Sequence, residues 1–406
     1  MIVGPCTIVT GGAKPAVIEN AGVRVSGAHI AQLGPVGNLA AAYPDEPLWP
    51  ARGRVLMPGF VNTHAHLARH LARGLGLKSA EQWKEYERAL SPEDVRWAIV
   101  AALVEGVRHG VTTVCDFHRS GSCPDLSLSE VLDASHSVGV RVAACYGAAE
   151  TDEAEERRAA TQECLDFATE IHKRREGRLR GLLGVQATTL AGVETLLRDA
   201  LEVAGDRLAV HVDLALDITP AERWSARTPW RETPLPTLWA HAEAAPKGLL
   251  ALARERGDVL SAVGSASTAA IIREVELAWG SDSSVNAPPL PDSTHGWPAG
   301  TTTEMHYQRL FVNGARWAAG HFGHGLGEIA AGAPADFILV EYCPATELSS
   351  RTLLEHLGSG LLRAPVSAVM VAGEIIMDNG VIVPVDEREV ATRAKECAKR
   401  VWERLH

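Results

Sequence analysis

A chain of 406 residues is too long for one small core and suits one large barrel plus a satellite unit. Its composition, 46% hydrophobic and 22% charged, is that of an ordinary globular protein. A formal charge of -11 with no Lys/Arg cluster argues against a nucleic-acid-binding surface and disfavours phosphate-rich partners.

No run approaches a membrane span. The opening Met1-Ile2-Val3-Gly4-Pro5 lacks the basic and apolar pattern of a signal peptide. The seven cysteines (Cys6, Cys115, Cys123, Cys145, Cys164, Cys343, Cys397) are scattered, odd in number and without a Cys-x-x-Cys pair. That pattern points to reduced thiols in a cytoplasmic protein.

Residues 1–54 contain short β-type runs at 7–10, 16–19, 23–26 and 29–33, broken by glycine turns, and predict a small sheet. A buried strand at 55–61 follows, with Pro58-Gly59 inside it, and leads into His64 and His66. Residues i and i+2 of an extended chain point the same way, so the two imidazoles share a face. That geometry suits a divalent metal, and equally a pair of idle polar residues at a strand end.

Apolar runs at 111–117, 141–146, 179–187, 208–214, 237–242, 258–263 and 275–279 come next, separated by helical patterns such as 92–109 and 190–204. With 55–61 they make the eight strands of a (β/α)8 TIM-like barrel. An open doubly wound sheet would carry a Gly-rich phosphate loop after its first strand, where this chain has histidines. The end of the chain returns to β-type runs at 335–341, 366–371, 374–377 and 381–383, the last two joined by Asp378-Asn379-Gly380. A helix is expected over 386–405. The expected organisation is a barrel over 55–324 and a β-sandwich composed of 1–54 and 325–406.

Barrel enzymes place their chemistry at the C-terminal ends of the strands. Strand five brings His211 to its exit, and Asp282 lies just past strand eight. Three imidazoles and a carboxylate leave a place for water on Zn²⁺ or Fe²⁺. Taken singly, His211 is more often a packed polar residue, and Asp282 fits a turn or a helix cap. Strand six ends at His241, placed to hydrogen-bond a metal-bound water or polarise a carbonyl, or else simply a core histidine. His70 and His118 also fall at this end, whereas His295, His321 and His324 lie in loop-rich sequence. Trp83, Tyr86 and Trp297 are candidates to stack on a flat ring, with core packing the equal alternative.

The motifs Pro58-Gly59-Phe60-Val61-Asn62-Thr63-His64-Ala65-His66, Ala72-Arg73-Gly74-Leu75, Gly110-Val111-Thr112-Thr113-Val114 and Gly332-Ala333-Pro334-Ala335-Asp336-Phe337 span most of the chain. Together they resemble the amidohydrolase superfamily, in its cytosine deaminase and chlorohydrolase branch. The run from Glu341 to Leu348, with His356-Leu357, is similar to SsnA-type aminohydrolases. The resemblance implies a barrel with a composite β-sandwich, His64, His66, His211 and Asp282 as ligands of one divalent metal (zinc expected, iron the alternative), and His241 as an auxiliary residue.

Departures from the branch fall beside the ligands. The branch has a proton-shuttling Glu three residues after the strand-five His, where this chain has Leu214. Asp213 is the candidate substitute and Asp217 a weaker one. Gln186 stands where a His is usual, and Gly264-Ser265-Ala266-Ser267-Thr268 replaces an Asn-rich loop. The expected function is hydrolysis of a C–N bond, of aminohydrolase, deaminase or amide type, in a small nitrogen-containing cyclic substrate. Metal-bound hydroxide attacks, Asp282 moves the proton, and His241 stabilises the oxyanion.

The rival from a different class is a catalytically degenerate barrel with a binding or scaffold role, motivated by the missing Glu. A sugar-phosphate barrel lacks its Gly-rich phosphate loop. A small-molecule substrate, no nucleic acid, no membrane and a default homodimer complete the expectation.

Overall fold

The run expected as one strand over 55–61 is two strands belonging to two different sheets. Val55–Pro58 lies in a mixed sheet, parallel to Ile2–Val9 and antiparallel to Phe337–Val340. Phe60–Ala65 is the first strand of a barrel. The crossing is made at Gly59, where a Cβ would lie 2.2 Å from Thr112 Cγ2, so only glycine lets the chain pass Val111–His118 there. Uniform burial on both sides of Gly59 hides this boundary from a hydrophobicity pattern.

The computed structural model describes residues 1–121, 125, 127–205, 207–214, 237–245, 247–263, 276–283, 285–290 and 297–405. Its barrel has eight parallel strands, each hydrogen-bonded to the next. They are Phe60–Ala65, Val111–His118, Arg141–Ala149, Leu183–Ala187, Val210–Leu214, Leu238–Ala240, Val259–Val263 and Leu277–Gly280. The run expected over 179–187 is broken at Leu182, with Leu179–Gly181 pairing separately with the third barrel strand. The strands are almost wholly buried because helices cover the outside, as in any parallel sheet.

Ser91 starts the helix Pro92–Arg108 with a capping box to Asp94 and proline at the first position. Thr189 caps Leu190–Ala204 through its side chain alone, which accepts from Gly192 N–H.

The last strand meets the first through a single bridge, Ala65 to Asp282. The N–H groups of Ser281 and Asp282 donate to His64 O at 2.8 and 3.0 Å, and His66 N–H donates to Asp282 O at 3.0 Å. Closing the barrel therefore sets the histidine pair and Asp282 side by side.

Both chain ends contribute to one mixed sheet of nine strands, with Val55–Pro58 in its middle. The expected sandwich is one continuous sheet that curls on a core including Val3, Val23, Phe337 and Met370. His29 pairs with Pro334, and Gly373 packs against Gly27, which brings distant parts of the sheet together. The runs 16–19 and 23–26 are one strand, Val17–Ser26, because Asn20 takes a φ of 50° within the ladder rather than ending it. The C-terminal helix Glu387–Arg404 buries Val390, Ala394, Cys397 and Val401 as its periodicity predicts. Its Trp402 donates to Leu71 O at 2.9 Å and backs the turn that follows the histidine pair.

Candidate metal centre

Strand geometry fixes the first contacts. His64 and His66 leave the same strand on one face, and Gly280 on the closing strand leaves room for them, since a Cβ there would meet His64 Cβ at 2.9 Å. His66 Nδ1 donates to Phe117 O at 2.8 Å, which fixes its tautomer and leaves the Nε2 lone pair free. That Nε2 lies 3.4 Å from Asp282 Oδ1 and 3.5 Å from Asp213 Oδ2. His64 Nδ1 lies 3.0 Å from His211 Nε2, and His64 Nε2 lies 3.9 Å from Asp282 Oδ1. His241 Nε2 lies 3.6 Å from Asp213 Oδ1 and 3.9 Å from Asp282 Oδ1.

The ring of Phe117 packs against His64, His66 and His211 and holds the three imidazoles from behind. Two sets of donor atoms, one from His64, His241 and Asp282 and one from His64, His66 and Asp213, each lie within 4.8 Å of one another. His211 joins them through His64.

Burial pushes His64 well below the usual imidazole range and His211 down to about 3, so both are neutral and offer lone pairs. Burial alone would raise Asp213. The neighbouring His66, His64 and His241 instead hold its carboxyl well below the usual range. His241 goes the other way. Against its burial, Glu243, Asp213 and Asp282 raise it to about 9.

Within this buried cluster His64 Nε2 and Asp213 Oδ1 have no hydrogen-bond partner. Buried polar atoms are seldom left so. Neutral imidazoles, an ionised carboxylate and orphaned donor atoms facing one point fit a divalent metal. His241 and Asp282 also have positive φ, 55° and 52°, strained for side chains of this kind, and both stand at this centre.

Every residue expected to form the site, His64, His66, His211, His241, Asp213 and Asp282, comes to this cluster. Leu214 is fully buried and, one residue past Asp213 on the strand, faces the helix layer, so the inward position at this exit belongs to Asp213. His118 bonds Ser120 Oγ at 3.0 Å and His70 lies by Arg73 and Glu105, and neither belongs to the donor-atom sets of the cluster. His321 is half-buried and His324 exposed. Tyr86 is core, its hydroxyl donating to Ala68 O at 2.9 Å, and Trp297 stacks on His306 at 3.7 Å. Trp83 carries the guanidinium of Arg69 over its ring at 4.6 Å. Asp217, residues 264–268 and His295 lie outside the described residues.

Gln186, already noted as a departure beside the ligands, joins the site, and two further neighbours, Glu243 and Arg69, were not expected. Gln186 donates to Asp213 Oδ2 at 2.6 Å. Glu243 Oε1 lies 3.4 Å from His241 Nδ1. Arg69 donates to Ser283 Oγ at 3.1 Å and to Glu87 at 2.7 Å, and its Nη1 is 4.0 Å from Asp282 Oδ1. The His-x-Glu spacing of 241 and 243 was a readable signal. Nothing in the spacing singles out Arg69.

Residues 55–227 match the family model described as "Amidohydrolase family". The chain is 27% identical to a 5-methylthioadenosine/S-adenosylhomocysteine deaminase of Moorella thermoacetica, over 96% of this chain and 97% of that protein. It is 23% identical to the protein of that name from Acetivibrio thermocellus, over 97% of each. In fold it is similar to the atrazine chlorohydrolase of Arthrobacter aurescens solved with zinc, with a TM-score of 0.76 and 17% identity, and with 98% of this chain and 99% of that chain covered. The nearly closed barrel and the buried histidine and aspartate cluster at its seam are in keeping with that match: residues 55–227 resemble an amidohydrolase family domain.

Proposed function

We propose that the protein is a metal-dependent hydrolase of a C–N bond in a small, nitrogen-containing cyclic substrate. The observation that carries this reading is the convergence of His64, His66, His211, His241, Asp213 and Asp282 at one buried point, with donor atoms left unpartnered. His64, His66, His211 and Asp282 would hold one divalent ion, zinc first and iron as the alternative. Such an ion supplies Lewis acidity and brings the pKa of water toward neutrality.

The chain's own residues do the rest. His241, kept protonated by Glu243, Asp213 and Asp282, donates to the atom that gains negative charge as water adds to carbon, a carbonyl oxygen in a cyclic amide or a ring nitrogen in an aminopurine. Asp282, whose side chain is 30% exposed while that of Asp213 is 3% exposed, takes the proton of the attacking water and gives it to the leaving nitrogen. Asp213, ionised and held by Gln186, stands in for the glutamate that Leu214 displaces. The unbridged thiols of the described residues fit a cytoplasmic setting.

The curated relatives are named as deaminases of 5-methylthioadenosine and S-adenosylhomocysteine, which makes a ring-borne amine on a purine the first substrate to try. The test is elemental analysis of the purified protein followed by an ammonia-release screen over aminopurines, aminopyrimidines and cyclic amides. About one ion per chain and turnover of one class are expected. A stable, metal-free protein inert to all of them would leave the binding or scaffold reading in its place.

A further inference from the structure

The net charge of -11 conceals a cationic region at the other end of the barrel, where the strands begin. Two cavities of about 930 and 890 Å³ lie there, and Arg180 and Glu176 belong to the walls of both. Arg141 and Arg178 also line the first cavity, and Arg175, Arg207 and Arg316 the second.

Most of these arginines are engaged. Arg141 is bound to Asp336 at 2.6 Å, Arg178 to Glu374 at 2.6 Å, and Arg316 faces Glu276 at 3.4 Å. Arg207 donates to the carbonyls of Ala204 and Val203 at a helix end. Glu176, the carboxylate shared by both walls, lies 3.4 Å from His136 Nδ1.

Arg180 differs from its neighbours. It is half-buried, and no carboxylate among the described residues lies within ion-pair distance of it. Its guanidinium is nonetheless rigidly held. Nε donates to His321 O at 2.6 Å, Nη1 donates to Leu179 O at 2.6 Å and Glu176 O at 3.2 Å, and the ring of Phe322 lies 5.1 Å away. Nη2 is left with its hydrogens unassigned, a cationic edge fixed in place. Burial and the nearby Arg141 both work against its charge, which an arriving anion would relieve. The second cavity has an apolar floor that includes Ile171, Leu208, Val259 and Trp317.

We propose that this groove binds a small organic oxyanion, a phosphate ester or carboxylate, with its charged head on Arg180, assisted by Arg175 and Arg316 at the rim, and its apolar body on the floor. A guanidinium edge matches the two oxygens of such a head, and an aromatic or aliphatic body uses the floor. The site is separate from the metal centre and does not depend on the reaction proposed there.

The test is calorimetric titration of the full-length, metal-loaded protein with phenyl phosphate and, in parallel, phthalate, at constant ionic strength set by sodium chloride. Saturable binding with a Kd below about 1 mM is expected for one of them, which also tells phosphate from carboxylate recognition. The Arg180→Met protein should bind about tenfold more weakly. Should that variant fail to fold, the doubly substituted Arg175→Ser, Arg316→Ser protein, altered only at exposed positions, should show a similar loss. Binding should survive in His64→Ala protein. No saturable binding, binding undiminished in the variants, or loss of binding in His64→Ala protein would overturn the proposal. So would a wild-type dimer that the double substitution dissociates, since the groove would then be covered by a second copy.

Discussion

Two buried polar clusters in this protein are built on opposite principles. Where the barrel meets the mixed sheet, Arg141 and Asp336 form a closed arrangement. Asp336 Oδ2 accepts from Arg141 Nε at 2.6 Å, Oδ1 accepts from Arg141 Nη2 at 2.9 Å and from Ala372 N–H at 2.8 Å, and Arg141 Nη1 donates to Gly177 O. At the seam of the barrel, His64 Nε2 and Asp213 Oδ1 are left without partners while carboxylates and imidazoles crowd within 4 Å of one another. Both clusters cost desolvation. The first recovers it within the chain and serves the fold. The second recovers it only through something bound, which is the physical signature of a site.

The largest effect that separates the two clusters is on turnover. Asp282→Asn should lower kcat/KM about a thousandfold or more, because on the proposed reading it removes both a ligand and the proton carrier, whereas His241→Ala should cost about a hundredfold. Steady-state kinetics with metal content measured in parallel checks this, and equal, mild losses would remove the distinction between the roles. Next comes stability. Asp336→Ala strands the Arg141 charge and should destabilise the fold by about 3–5 kcal/mol in urea titrations, with the metal content of the folded fraction unchanged. Loss of metal in that variant would show that the clusters are coupled.

Third, returning zinc to chelated protein should stabilise it by about 3–4 kcal/mol at a hundred- to thousandfold excess over Kd, read as a rise in melting temperature. His64→Ala should abolish most of that rise.

The smallest effect concerns pH. Burial raises the Asp116 carboxyl from its ordinary 3.8 to about 6. The folded state therefore favours the protonated form, and this contribution to stability, full below pH 3.8, is lost as pH rises through about 6. Asp116→Asn keeps the acceptor for Leu67 N–H and should remove that pH dependence, so that chelated variant and wild type diverge by about 2 kcal/mol between pH 4 and 7.

Much of this was legible in the chain. Period and turn chemistry locate barrel strands two to eight and the helices at 92–109, 190–204 and 386–405, because each obeys its local rule, whereas the first barrel strand begins only at the end of the run expected for it. The ligand candidates were legible because a strand places i and i+2 together and a barrel gathers strand ends. What escaped has a common cause. The switch of sheets at Gly59 is set by Thr112, the persistence of Val17–Ser26 through Asn20 by its ladder partner, and the place of Arg69 by Glu87 and Ser283. Each is a contact between residues far apart in sequence, and no local pattern contains it. Arg180 is similar, since its lack of a carboxylate is visible only once Arg141 and Arg178 are seen to have theirs.

Gly59 carries a consequence for how such a protein diversifies. Val55–Pro58 is an inner strand of the mixed sheet, and the residues directly after Gly59 begin the strand that ends at the histidine pair. A recombination event that exchanged the sheet for another would have to cut within this one continuous run, taking an inner strand from one unit or the root of the histidine-bearing strand from the other. The two units are thus expected to be inherited together, with variation confined to the loops at the barrel mouth.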